Sequence, residues 1–158
     1  MSPEEERLKK WLAVLNEPNA EMSKIAAEKL GSLHNPIAVP DLIRAMEHRT
    51  AMVAASAALA LGKIGDKSAS PSLIKTLHNH QDVMVQSAAA EALGQLREIQ
   101  AISHLKQTID EYLEKYKNDR FNLTRGMSRG LFTTSILALR QIGTPHALRI
   151  AQEAERAG

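Results

Sequence analysis

One alanine-rich word returns along this chain at a nearly constant interval. It reads Ala26-Ala27-Glu28-Lys29-Leu30-Gly31-Ser32-Leu33, then Ala57-Ala58-Leu59-Ala60-Leu61-Gly62-Lys63-Ile64, then Ala88-Ala89-Ala90-Glu91-Ala92-Leu93-Gly94-Gln95-Leu96. Gly31 to Gly62 is 31 residues and Gly62 to Gly94 is 32. A period in this range marks a stack of similar units. The repeat reaches beyond the word: Trp11, Leu42 and Leu73 are spaced by 31, as are Leu15, Met46 and Leu77. Met22, Val53 and Val85 each lie eight residues before the Leu of their own word. Each unit is therefore a helical hairpin with two apolar stripes, which a lone hairpin cannot bury but a stack can. Small residues at 26, 57 and 89 let helices approach closely. The Gly after each motif Leu is expected to relieve crowding near a helix end.

The punctuation agrees. Ser2-Pro3-Glu4-Glu5 opens a helix with the makings of a capping box. Asn16 to Asn19 breaks it, and Asn35-Pro36, Arg49-Thr50, Gly65-Asp66 and His78-Asn79-His80 mark the next breaks. The rhythm then fails. The fourth word is Ser135-Ile136-Leu137-Ala138-Leu139-Arg140-Gln141-Ile142-Gly143, and Leu93 to Leu139 is 46 residues. The surplus falls between Ile109 and Leu131. Residues 110–117 are expected to prolong the seventh helix, and 118–130 to form a loop or a broken helix start. The sum is nine helices in a single 1–158 domain. Its repeats run about 2–33, 34–65, 66–97 and 98–143, with an insertion near 110–130 and a terminal half-repeat at 144–158.

Composition narrows the function classes. Aromatic residues are 3% of the chain, so the core must be built from Ala, Leu, Ile, Val and Met. A formal net charge of +2 does not argue for nucleic acid. With no cysteine there is no disulfide framework and no thiolate-bound metal. The acidic start Met1 to Glu6 lacks the apolar core of a signal peptide, and the apolar run Ala51 to Leu61 is too short to span a bilayer. The expectation is a cytoplasmic, soluble domain without a membrane span.

Ala60-Leu61-Gly62-Lys63-Ile64-Gly65-Asp66 followed by Pro71-Ser72-Leu73-Ile74, together with Pro40-Asp41-Leu42-Ile43, resembles the short HEAT-like repeats named after phycobilisome lyases. That resemblance implies an all-α, right-handed α-solenoid of HEAT-like hairpins. It covers nearly all of the chain outside about 110–130. One departure stands out: the Arg that usually follows the Val is Ser23, Ala54, Gln86 and Phe132 here. A ladder of Arg on Asp between repeats is thus missing, and looser inter-repeat order is expected.

Catalysis is not expected. Related repeat proteins include an iron hydroxylase with His-Glu pairs at the starts of its inner helices, and this chain contains no His-Glu pair. Gln86-Ser87 and Ala54-Ala55 stand at the equivalent positions. His48, His78 and His80 are read as solvated histidines near turns rather than metal ligands. No cofactor pattern is recognised.

The resemblance also implies that the second helix of each hairpin lines a concave surface. Met52, Ala55 and Leu59 place an apolar strip there, where Lys24 and Glu28 sit one repeat earlier, and Met84 and Leu137 continue it. It is either a groove for a partner helix or a surface covered by the insertion with Tyr112, Tyr116 and Phe121. Arg120, Arg125, Arg129, Arg140 and Arg149 fall in a stretch without acid between Asp119 and Glu153. They form either a patch for an acidic protein, a propionate or a phosphate, or a solvated face paired to Glu111, Glu114 or Asp119. The expected function is a non-catalytic protein–protein scaffold or adaptor using the concave face and the 110–130 insertion. Its partner is another protein, acidic or helical, contacted by Met52, Leu59, Met84, Tyr112, Tyr116, Arg120, Arg125 and Arg129. The alternative that the resemblance implies is a bilin lyase-like or phycobilisome-associated factor.

Overall fold

The computed structural model describes residues 1–48, 50–116 and 125–158. The described residues form nine α-helices and no strand. They are α1 (Pro3–Leu15), α2 (Ala20–Leu33), α3 (Val39–Ala45), α4 (Ala51–Ile64), α5 (Ser70–Asn79), α6 (Val83–Gln95), α7 (Ile102–Tyr116), α8 (Arg125–Ile142) and α9 (Pro145–Ala157). Local chemistry sets most of the starts. The Ser2 side chain accepts from the Glu5 N–H while Glu5 reaches back to the Ser2 N–H, closing the capping box. Asn19, Asp82 and Thr144 cap α2, α6 and α9 with side-chain oxygens.

The helices form two layers. α2, α4, α6 and α8 pack side by side in chain order, and α1, α3, α5 and α7 each pack on the next helix of that row. α9 closes on α8. The architecture is an α-solenoid, as the period implies. Leu30, Leu61, Leu93 and Leu139, one from each word, are fully buried, and so are Leu42, Leu73 and Leu105 of the other layer. Burying each contributes on the order of 2 kcal/mol.

The glycines mark where the first layer touches itself. A Cβ added to Gly31 would lie 2.9 Å from the Ala60 Cα. At Gly62 it would lie 2.8 Å from the Ala92 Cα, and at Gly94 2.7 Å from the Ala138 Cα. Each glycine is therefore a seat for an alanine of the next repeat's helix. The crowding that these glycines relieve near their helix ends is crowding between helices. Ala26, Ala57 and Ala89 are likewise fully buried. In the fourth word Arg140 occupies the glycine position, directly after Leu139. No helix can rest there as closely as alanine rests on glycine.

A second ladder lies in the turns. His34, Gly65, Arg97 and Gly143 all adopt the left-handed conformation, with φ of 50°, 81°, 48° and 74°. Next in the chain are Asn35, Asp66, Glu98 and Thr144. The side chains of Asn35, Asp66 and Glu98 accept from the N–H of Ile37, Ser68 and Gln100, each opening a short 3-10 turn. These 3-10 turns were not foreseen from sequence. Two of the corners also bind the neighbouring repeat. His34 Nδ1 lies 2.7 Å from the Lys63 carbonyl oxygen, and Ser70 Oγ donates to the buried Glu98 carboxylate at 2.8 Å.

The positions lacking the usual Arg are packed in other ways. Ser23 is buried and donates to the Glu17 carbonyl at 3.0 Å, Ala54 is fully buried, and Phe132 stacks on Tyr112.

The irregular end differs in part from expectation. α7 does run on to Tyr116, and α8 begins at Arg125, so of the two alternatives for this stretch residues 125–130 take the helix start and not the loop. Residues 118–124, with Arg120 and Phe121, lie outside the described residues. Tyr112 and Tyr116 are core, at 8% and 6% exposure. The Tyr112 ring stacks on Phe132 with centroids 4.5 Å apart, and Tyr116 O–H donates to Ser128 Oγ at 3.1 Å.

Candidate protein-binding face

Helical geometry brings residues three and four apart onto one face. On α4 that face carries Met52, Ala55 and Leu59. Met52 is 48% exposed, Leu59 is half-buried and Ala55 is buried. Met84 at the start of α6 is 43% exposed and Leu137 on α8 is 54% exposed. At the α2 end the same side carries Lys24 and Glu28, an ion pair at 3.7 Å. Leu59 also lines a cleft of about 300 Å³ between α2 and α4, with Glu28, Ser56 and Lys63. Three large apolar side chains thus stand open on one layer of a protein in which most of the described leucines are buried.

The described part of the insertion does not cover this strip. Tyr112 and Tyr116, expected as partner contacts, are instead held between α7 and α8 by Phe132 and Ser128.

Of the five arginines, the side chains of Arg129, Arg140 and Arg149 are described. Arg140 pairs with Glu155 of α9, with Nη2 2.7 Å from Oε2 and Nε 3.0 Å from Oε1. That hydrogen-bonded pairing pushes the Glu155 carboxyl below its ordinary value and the Arg140 guanidinium above its own. The partner is not one of the acids anticipated from sequence. Arg129 and Arg149 are exposed. Arg120 and the Arg125 side chain lie outside the described residues.

The histidines take structural roles. His48 Nδ1 accepts from the Thr50 N–H, and His80 Nδ1 accepts from the Asp82 N–H, both at 3.0 Å. Each bond leaves Nε2 as the protonated nitrogen of a neutral ring. His78 meets His104, a residue that sequence reading passed over because nothing in its spacing set it apart. Among the described residues no group of three or more His, Asp or Glu is placed to hold a metal, and no helix is long and apolar enough to cross a membrane.

The family pattern described as HEAT repeats matches residues 8–83 and 53–116. The chain belongs to the HEAT-repeat family. No curated protein sequence matches it. Among solved structures, this HEAT-repeat chain is similar to the CpcE–CpcF complex of phycocyanin lyase from Nostoc sp. PCC7120. The TM-score is 0.64 at 24% identity, over 95% of this chain and 64% of the lyase chain. It is also similar to human deoxyhypusine hydroxylase, with a TM-score of 0.60 at 19% identity over 93% of this chain and 66% of that one. An engineered protein matches with a TM-score of 0.57 at 20% identity, over 94% and 68% of the two chains. At these identities the likenesses show the shared solenoid fold. The chain spans just under two thirds of the length of the lyase chain.

Proposed function

We propose that this HEAT-repeat chain is a non-catalytic scaffold or adaptor that binds another protein through the α2–α4–α6–α8 layer and the 110–130 region. The observation that carries the reading is the row of exposed Met52, Met84 and Leu137 on successive helices of that layer. Exposed methionines suit a helical partner because their flexible thioethers repack around varied shapes. The non-catalytic part of the reading rests on the residues: small or amide side chains stand where metal-binding relatives carry His-Glu. The test is a Met52→Asp, Met84→Asp double variant. It is expected to melt within a few degrees of the parent and to lose a partner that the parent recovers from the source cell. Unfolding of the variant would make the strip part of the core and remove the reading.

A second reading has its own support in the likeness to the phycocyanin lyase chain: a bilin lyase-like or phycobilisome-associated factor. Mixing the purified protein with a linear tetrapyrrole separates the two. A clear shift of the absorption bands favours the second reading, and an unchanged spectrum favours the scaffold.

A further inference from the structure

We propose that His78 and His104 form a proton-operated latch between α5 and α7 that holds with up to one added proton and releases with the second. His78 Nε2 lies 2.9 Å from His104 Nδ1, and the ring centroids are 5.0 Å apart at 58°. The position gives the contact leverage. α5 and α7 touch little directly, and each is held chiefly by its partner in the other layer, α6 or α8. The imidazole pair is a bridge across this seam between the third and fourth repeats.

Counting protons shows why the response has two steps. In the neutral pair one ring donates its N–H to the bare nitrogen of the other. The first added proton goes to the bare nitrogen outside the gap, on the donor ring. The bond then becomes a charge-assisted N–H donated to a neutral nitrogen, which is stronger. The second proton has only the nitrogen inside the gap. Two N–H groups on two cations then face each other at 2.9 Å, and the contact breaks. The count is the same whichever ring donates at the start.

Among the described residues the surroundings are sparse in charge. His78 lines a cleft of about 200 Å³. α7 contributes Glu111, Lys115, Tyr112 and Tyr116 to it, while α6 contributes Val83 and Gln86, and α8 Ser128, Leu131 and Phe132. Burial holds His78 below the usual histidine range, the charge of His104 adds to this, and Glu111 opposes it. It is the second proton of the pair that the fold binds below that range, so its absence contributes fully to stability above the ordinary value of about 6.5. That contribution begins to drain away as pH falls below the ordinary value and is gone once pH passes the lowered one. The alanine–glycine seats of the other layer contain no titratable group, so the seam is expected to open on one side only, as a hinge.

The experiment is a titration of the intact protein from pH 8 to pH 5. Imidazole NMR follows the rings, and amide exchange, corrected for its intrinsic pH dependence, follows the helices. His78 and His104 are expected to titrate as a pair in two separated steps. The α7 amides facing α5 are expected to lose protection several-fold below the lower step, while α4 and α6 do not change. In His104→Ala, His78 is expected to titrate in one step closer to the ordinary value of about 6.5, and the pH-dependent change in α7 is expected to vanish. The proposal is overturned if the two rings titrate independently, each in a single step, if α7 protection stays flat to pH 5, or if His104→Ala keeps the wild-type response.

Discussion

Two regions of this HEAT-repeat protein solve the same packing problem with opposite materials. From α2 to α8, neighbouring helices of one layer meet through glycine seated against alanine, and the Cα of one helix occupies space that a Cβ on the other would need. At the α7–α8 end, the space is filled instead by the Tyr112–Phe132 stack, with Tyr116 beside it. The glycines differ accordingly. Gly62 and Gly94 have no room for a methyl group, whereas Gly126 and Gly130 of α8 have nothing within 4 Å of an added one. Glycines in the regular stack are seats; Gly126 and Gly130 face open space. A regular repeat permits the first solution because every seat meets the same neighbour. An insertion that breaks the period needs large side chains to fill an unmatched gap.

This contrast can be broken in order of effect. Phe132→Ala should cost about 3–5 kcal/mol, because it empties the aromatic stack. Chemical denaturation measures it, and a loss below about 1 kcal/mol would mean that the aromatic end does not carry its share. Gly94→Ala should cost about 2–3 kcal/mol, since the obstacle is the Ala138 backbone rather than a movable side chain. Thermal melting of Gly94→Ala beside Gly62→Ala would show whether the two seats are equally tight. Gly130→Ala should act with the opposite sign and stabilise by roughly 0.5–1 kcal/mol, because it gains helix propensity at no steric cost. Equal destabilisation by Gly130→Ala and Gly94→Ala would erase the distinction between the regions. The smallest effect sharpens the turn ladder. Arg97→Gly should stabilise by about 0.5 kcal/mol, the net of relieving a left-handed arginine and adding chain entropy.

Much of the fold was legible from the residues. The Leu-Gly words predicted helices at 20–33 and 51–64, and the helices found are Ala20–Leu33 and Ala51–Ile64. Ser2 stood where a cap belongs, and it caps α1, because capping is decided within a few residues. The candidate face was legible in part. Helical spacing brings Met52 and Leu59 to one side, but their different exposures depend on the helices packed next to them. Tyr112 and Tyr116 were misplaced for a related reason. Their spacing fits an exposed aromatic pair or a buried one equally well, and the choice lies with Phe132, twenty residues beyond Tyr112. His104 was invisible because its significance is a neighbour 26 positions away.

Read alone, the residues settle that this chain is a row of helical hairpins, where each hairpin turns, and which stripe of each helix is apolar. Those outcomes follow from local propensity and from a period, both of which act over short stretches. Tertiary packing alone decides that the glycines are seats between helices, that Arg140 turns to Glu155, that two tyrosines go inward and that two histidines meet. Each of these is a contact between segments far apart in the chain, and its energy does not exist until the layers have closed.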